Sequence, residues 1–497
     1  MTDRSTAGPG GRRGVGRQAL WNYLVFALSK SSTLIMTMVL ARLLGPADFG
    51  LFALAFLVMT LFDYVRDLGV AAALVQRDEE WARILPTGLT LTCLSGLLIG
   101  AAAALAAPVA AAAFGEPELT PLVRVLAIGL VISALGVLPL AALRRRLDYR
   151  SRLIPEVAGT VAKAGTAIVL AVGGLGVWSL VWAQLAASVV TTCGYWWVVR
   201  PPVRFGFDRA VALGLVRFGL PVTVVSFLSF AVANADYAAI GRRLGDVELG
   251  YYTLAYRLPE LLVLNICVVV GDVLFSALSR MQHDRPAVAA KYLETLRGVI
   301  ALTAPVGLGV AALAGEIVGL LYGDAFAPAA DELAALAAFA VMYSINFHAG
   351  DAYKAIGRPG LLTALGLVKF LLLAPAVWFA AGYSALAVAT ALLIVEALIT
   401  FVRLTLVRMV LGVTVRRHLV VLRGPVTAAV VMASTVWGAA QMLPLDGAAV
   451  RLALLVPLGA VVYVAALRLL APRLVAGVVQ QVRIRRAARR PAGLNAP

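Results

Sequence analysis

The chain has 497 residues, 61% of them hydrophobic and only 14% charged, with a mean hydropathy of +0.91. Soluble domains carry about half apolar and a quarter charged residues, so this composition excludes a soluble enzyme, a disordered chain and a disulfide-stapled secreted domain. In a chain this apolar the net charge of +17 points to cytoplasmic loops and anionic lipid rather than to nucleic acid.

Residues 1–17 form a Gly/Arg-rich tail, read as disordered, and no signal-peptide cleavage pattern follows it. About 20 apolar residues cross a bilayer as a helix. Apolar runs bounded by Gly, Pro and charged residues predict fourteen such helices, with cores near 18–41, 49–74, 84–108, 121–143, 153–172, 177–199, 212–240, 249–275, 298–314, 331–352, 361–381, 384–407, 420–441 and 450–470. The fold class is therefore all-α and polytopic. With the N-terminus in the cytoplasm, 33 of the 43 basic residues fall in inner segments and five in outer ones, the asymmetry the positive-inside rule demands. Both termini are then cytoplasmic. The longest outer connection, near 315–330, reads as a loop. Nothing here offers a glycosyltransferase or polymerase its large outer domain, so no enzymatic activity is expected. Cys93, Cys193 and Cys267 lie in apolar runs and read as small core residues. His283, His348 and His418 are scattered among predicted loops and helix ends, and no metal-ligand spacing joins them.

The chain repeats itself. Ala41–Phe56 (ARLLGPADFGLFALAF) and Gly241–Tyr256 (GRRLGDVELGYYTLAY) align without a gap at an offset of 200 residues. Arg42/Arg242, Leu44/Leu244, Gly45/Gly245, Gly50/Gly250, Leu54/Leu254 and Ala55/Ala255 are identical pairs. A second echo, at an offset of 206, pairs Lys163 with Lys369 and Gly176 with Gly382. Six helices separate the copies, so the repeats run parallel, a transporter architecture. The expected organisation is a tail at 1–17, an N-lobe at 18–200, a cytoplasmic linker at 201–209 and a C-lobe at 210–407. Two further helices within 418–470 and a basic tail at 471–497 complete it.

Five basic residues stand inside predicted helices: Lys30, Arg66, Lys163, Arg257 and Lys369. A charge at mid-bilayer costs about 2.5–3.5 kcal/mol on insertion scales, so one that is retained faces a polar cavity or a partner. Lys30 has polar company in Asn22, Ser29, Ser31 and Ser32 and reads as a cavity cation for an anionic substrate. Lys163 and Lys369 read equally as substrate groups and as structural ones. Asp63 and Asp67 flank Arg66 at helical spacing, and Glu260 stands three residues after Arg257. Arg66 and Arg257 occupy equivalent second helices of the two lobes, where an anion can exchange between them; a static ion-pair network is the other reading. Asp63, Asp67, Glu260 and Glu396 are the candidate coupling-ion or ion-pair carboxylates, and Glu396 is alternatively the partner of Lys369. No cofactor is expected beyond a coupling Na+ or H+. The basic tail after Arg483 suits anionic headgroups or plain solvent.

Three stretches together resemble a known family: Ala41-Arg42-Leu43-Leu44-Gly45-Pro46 through Asp48-Phe49-Gly50; Arg66-Asp67-Leu68-Gly69 with Ala73-Leu74-Val75-Gln76-Arg77; and Tyr256-Arg257-Leu258-Pro259-Glu260 running on to Leu278-Ser279-Arg280. The chain resembles the Wzx-type polysaccharide flippases, in their colanic/teichuronic-acid exporter branch, of the multidrug/oligosaccharidyl-lipid/polysaccharide exporter superfamily. The resemblance implies two lobes around a cationic cavity lined by helices one, two, seven and eight, with Lys30, Arg66 and Arg257 as its cations. It further implies alternating-access export of undecaprenyl-pyrophosphate-linked oligosaccharide across the bacterial cytoplasmic membrane, alongside polymerase and glycosyltransferase machinery. A drug/cation antiporter of the same superfamily and a non-transporting envelope scaffold are the rival readings.

Overall fold

A computed structural model describes residues 32–67, 81–146, 148–443 and 447–472, with single positions beyond. Lys30 and both tails lie outside the described residues. The described helices are α1 (Ser32–Ala41), α2 (Pro46–Asp67), α3 (Trp81–Phe114), α4 (Leu119–Arg145), α5 (Tyr149–Val172), α6 (Val177–Val199) and α7 (Arg209–Arg243). There follow α8 (Asp246–Arg280), α9 (Arg285–Ala312), α10 (Ala314–Leu321), α11 (Ala329–Ala355), α12 (Gly360–Ala380), α13 (Ala385–Leu411), α14 (Val415–Met442) and α15 (Ala448–Leu470). Among the described residues 13 helices are long and apolar enough to cross a membrane, and they coincide with the second to fourteenth predicted segments. Only α1 represents the first. In lipid a backbone can satisfy its polar groups only internally, which is why such a chain is helical throughout.

Local chemistry sets the helix ends. Asp148, Asp208 and Asp284 cap α5, α7 and α9 by accepting from Ser151 N (3.1 Å), Ala210 N (2.9 Å) and Ala287 N (3.0 Å). The bonds to Ser151 hold the Asp148 carboxyl below the usual range. Pro259 cannot donate to the turn before it, and the register slips into a π-turn at Glu260–Leu264 within α8. The segment near 315–330, expected as a loop, is folded instead: α10 is followed by a 3-10 turn at Asp324–Phe326, with Tyr322 and Phe326 buried. The helix was too short to register as an apolar run.

Two compact units divide the chain. One comprises residues 1–253 and 366–388, the other 254–365 and 389–497. The cut falls inside α8, α12 and α13, whereas the repeat lobes follow sequence equivalence. In the first unit α3 packs on α4 and α5 on α6 through small residues, Gly96 against Ala134 and Gly159 against Thr191. In the second, α14 and α15 join the core of α8, α9, α11 and α13. Tyr463 donates to the Ala301 carbonyl at 2.7 Å, and Arg451 reaches Glu316 at 3.6 Å. The two C-terminal helices are thus fixed parts of that core. Outward-facing positions such as Leu105, Val169, Phe379 and Val461 are at least 67% exposed, which suits acyl chains as surroundings.

The repeated motif meets itself within the first unit. A β-carbon on Gly50 of α2 would overlap the Asp246 carbonyl of α8, and one on Gly250 of α8 would overlap the Pro46 carbonyl of α2. The first turns of the two helices therefore touch backbone to backbone, in a reciprocal contact that only glycine permits. Glu116, in the turn between α3 and α4, stands close to this contact. Its carboxyl is pushed up by burial and then by Asp246 and Glu118.

Either Gly50→Ala or Gly250→Ala should lower thermal stability by the equivalent of about 1–3 kcal/mol, the cost of overpacking. Gly165→Ala, with nothing within 4 Å of the new methyl, should be neutral or slightly stabilising. Tryptophan-monitored melting in detergent checks this, and equal effects at all three positions would contradict the contact.

Candidate functional site

Four of the candidate residues, Asp63, Arg66, Lys163 and Lys369, have described side chains in the first unit. A cavity of about 140 Å³ opens there between α2, α4 and α6. Its polar lining comes from Thr60 and Asp63 of α2, Ser133 of α4, and Gln184 and Ser188 of α6. Gly129 of α4 also lines it, leaving room before Leu185 and Ser188. Two bonds tie α6 to α4: Thr192 Oγ1 donates to the Ile132 carbonyl at 3.2 Å and Trp196 Nε1 to the Leu135 carbonyl at 2.9 Å.

Arg66 stands in the last turn of α2 and is only 9% exposed. Its Nη1 donates to the carbonyl of Leu130, a cavity-lining residue, at 2.9 Å, and its Nη2 lies 2.8 Å from Asp63 Oδ1. Its Nε is buried with no acceptor among the described residues. The Asp63 carboxylate is half exposed, so the pair is strongly held at the guanidinium end and loosely at the other. From α5, Lys163 Nζ donates to Gln184 Oε1 at 2.6 Å. Asp63 thus lines the cavity itself, while Arg66 and the sequence-distant Lys163 each bond a lining residue, Leu130 and Gln184. Gln184, Ser133 and Ser188 went unnoticed in the sequence; the available signal was a polar residue within an apolar run. Asp67's side chain lies outside the described residues.

Lys369 is also in the first unit, buried at 8% exposure and within electrostatic reach of Asp236. Asp236 accepts from the Tyr252 hydroxyl at 2.6 Å and from Tyr237 N at 3.0 Å. The repeat-related lysines therefore stand in different surroundings: Lys163 bonds a glutamine, and Lys369 lies within electrostatic reach of a carboxylate.

The second unit holds Arg257, Glu260 and Glu396. Arg257 Nη1 lies 3.5 Å from Glu260 Oε2, both partly exposed, with Glu260 opening the π-turn of α8. Glu396 is fully buried elsewhere in the unit and accepts from Asn346 Nδ2 at 2.7 Å. Asn346 Nδ2 also bonds Thr400 Oγ1 at 2.6 Å, and its side-chain carbonyl accepts from Arg403. Among the described residues no group of three or more His, Cys, Asp or Glu side chains is placed to hold a metal ion.

The family described as polysaccharide biosynthesis protein matches residues 39–331, more than half of the chain. The chain belongs to this family. The matched stretch contains both copies of the glycine motif and both Arg66 and Arg257. Succinoglycan biosynthesis transport protein ExoT of Rhizobium meliloti is 28% identical over 323 residues, 62% of this chain and 64% of that protein. Lipopolysaccharide biosynthesis protein WzxC of Escherichia coli is 24% identical over 405 residues, 81% of this chain and 82% of that protein. Teichuronic acid biosynthesis protein TuaB of Bacillus subtilis is 25% identical over 299 residues, 60% and 62% of the respective chains. The chain thus spans just under two thirds of ExoT and TuaB.

Among solved structures, lipid II flippase MurJ in an inward closed conformation superposes with a TM-score of 0.76 at 14% identity, covering 92% of this chain and all of that one. An inward-facing multidrug resistance transporter of the MATE family reaches 0.64 at 18% identity, covering 77% and 94%. At these identities the likeness establishes a shared fold. This family member is accordingly a multi-pass helical membrane protein that shares the fold of those two structures.

Replacing Arg66 by Met should cost about 1.5–3 kcal/mol, the loss of a charge-assisted bond to the Leu130 carbonyl in a buried setting. Asp63→Asn should cost less than about 1 kcal/mol, because its carboxylate is half in solvent. Melting curves of the two variants check the order, and a larger loss for Asp63→Asn would contradict it.

Proposed function

We propose that this protein is a flippase carrying a polyprenyl-pyrophosphate-linked oligosaccharide from the inner to the outer leaflet of the bacterial cytoplasmic membrane, for cell-surface polysaccharide synthesis. The observation that carries the reading is Arg66. A guanidinium is kept beside a polar cavity in a membrane-crossing helix, in a chain of the polysaccharide biosynthesis family. The names of ExoT and of the lipid II flippase among its neighbours support the same substrate class.

The chemistry follows from what must be moved. A pyrophosphate cannot cross hydrocarbon unpaired, and a guanidinium fork matches its oxygens with two parallel donors at a time. Arg66 still has a buried Nε to give. Asp63, half in solvent, can yield its place to a phosphate oxygen. Lys163 adds a second positive charge at the same wall, and Lys30 would add another. Arg257, loosely held by Glu260 at 3.5 Å, receives the anion after the change of access. Throughout, the glycan stays in water and the polyprenyl chain in lipid, and no covalent bond is made or broken.

Access alternates by rocking of the two repeat halves. The charge asymmetry supports assigning the loops before α2 and α8 to the extracytoplasmic side and both termini to the cytoplasm. On that assignment the Gly50 and Gly250 contact closes the outer end and must part for release. Asp63, Asp67, Glu260 and Glu396 remain the carboxylates available to a coupling Na+ or H+. The product goes to polymerase or glycosyltransferase machinery.

The test is made on lipid extracts. Deleting the gene should cause lipid-linked oligosaccharide to accumulate on the cytoplasmic face of the inner membrane. Wild-type protein should reverse this, and an Arg66→Ala/Arg257→Ala variant of equal membrane abundance should not. Full rescue by the variant would overturn the anion-binding role, and absence of accumulation would overturn the flippase reading in favour of an antiporter or scaffold.

A further inference from the structure

Helix α11 is interrupted. It runs Ala329–Asn346, breaks at Phe347 and His348, and resumes Ala349–Ala355. No proline or glycine sits at the break itself. The groups around it are polar and almost wholly removed from solvent: Asn346 and His348 are 0% exposed and Asp351 4%. The Asn346 carbonyl at the break takes a bond from Arg403 Nη1 at 3.4 Å.

His348 Nδ1 lies 3.3 Å from Asp351 Oδ2, while its Nε2 is buried with no hydrogen-bond partner among the described residues. The other oxygen of Asp351 holds Lys354 Nζ at 2.7 Å. Helix α8 makes room for this carboxylate at Gly271, where a β-carbon would stand 2.8 Å from Asp351 Oδ2 and 3.0 Å from the Phe347 ring. One carboxylate is therefore shared by a half-exposed ammonium and an imidazole whose second nitrogen faces the protein interior.

Leaving a buried nitrogen without a partner is costly, which marks it as a group able to take one. Oxygen donors suit a hard alkali cation, but both Asp351 oxygens are already engaged. Imidazole is the side chain that exchanges a proton near neutral pH. We propose that His348 and Asp351 form a proton-binding site at the break of α11, and that loading it releases Lys354. Nε2 has a lone pair when Nδ1–H points at Asp351, and a proton added there makes an imidazolium against the carboxylate. That imidazolium competes with Lys354 for the single negative charge. Lys354, 43% exposed and also lying over the Phe275 ring at 5.3 Å, can leave for water at little cost, whereas His348 cannot.

The other titratable and charged groups around the break are accounted for. Glu396 and Arg403 on α13 are joined through Asn346. Tyr343 on α11 lies within electrostatic reach of Asp351, Glu396, Arg403 and Cys267 of α8, and Tyr292 on α9 within reach of Arg403. With Glu396 and Arg403 balancing each other, the charge that changes is the one on His348. Use of this site to drive export rests on the flippase reading; the site itself does not.

The test uses the full chain in lipid nanodiscs, labelled with isotopic histidine. Three imidazoles are present, and His348 is assigned by the signal lost in His348→Gln. On acidification from neutral pH the His348 signals should change from the neutral to the doubly protonated pattern. Asp351→Asn should move that change to lower pH. His283→Gln should leave it in place, and titrations in sodium and potassium chloride should superimpose. In parallel, protection of the 347–357 amides, taken relative to the intrinsic exchange rate at each pH, should fall across the same pH range in the wild type and stay flat in His348→Gln, and equally in His348→Asn should the first variant fold poorly. A His348 signal that never changes, ignores Asp351→Asn or shifts with sodium would overturn the proposal. So would a protection that does not change with pH. No glycolipid enters either readout, so failure here leaves the flippase reading standing, and the reverse also holds.

Discussion

Two carbonyls, those of Pro46 and Asp246, each rest against a glycine of the opposite helix. Everything in the repeat follows from that crossing. It requires Gly50 and Gly250 at equivalent positions, four residues into α2 and α8, and explains why the motif recurs at an offset of 200 residues. In lipid there is no hydrophobic drive to hold two apolar helices together, so close backbone approach supplies the attraction. Such a contact is sharply bistable, because a separation of an ångström or two forfeits most of its dispersion energy. That property suits a closure that has to open once per transport event.

The second constraint is the cost of charge in hydrocarbon. Each described cation at membrane depth has an identifiable counterpart, and the counterparts differ in strength. Arg66 is pinned by the Leu130 carbonyl and only loosely by Asp63. Lys369 is buried near Asp236, and Arg257 keeps a long, partly exposed pairing with Glu260. The cations proposed to meet the anion, Arg66 and Arg257, are those with replaceable partners. The network of buried Asn346, Glu396 and Thr400 with half-buried Arg403 is joined by hydrogen bonds and braces α11 against α13 beside the His348 break.

Much of this was legible in the sequence because lipid simplifies the code. A span must be long, apolar and helical, and basic residues mark its inner ends, so thirteen predicted segments coincide with described helices. The repeat showed as a gapless alignment at an offset of 200 residues, and the members of the Asp63–Arg66 and Arg257–Glu260 pairs stand three residues apart, readable at helical spacing. What escaped was non-local or lacked a breaker. The Leu130 carbonyl and Gln184 are 64 and 21 residues from their partners, and no periodicity announces such a meeting. The break at Phe347–His348 contains neither Pro nor Gly, so His348 read as a predicted loop or helix-end residue. The helix at Ala314–Leu321 was too short to leave a hydropathy signal.

The central claim is that export depends on parting of the Gly50 and Gly250 contact. It is tested most directly by spin labels at Leu43 and Val247, two exposed positions flanking it, in protein reconstituted into lipid vesicles. The measured quantity is the dipolar coupling between labels, with and without added polyprenyl-pyrophosphate-linked oligosaccharide. The account predicts a single short distance in the absence of substrate and a second, longer population when substrate is present. An unchanged short distance in vesicles that are actively flipping the glycolipid would contradict it.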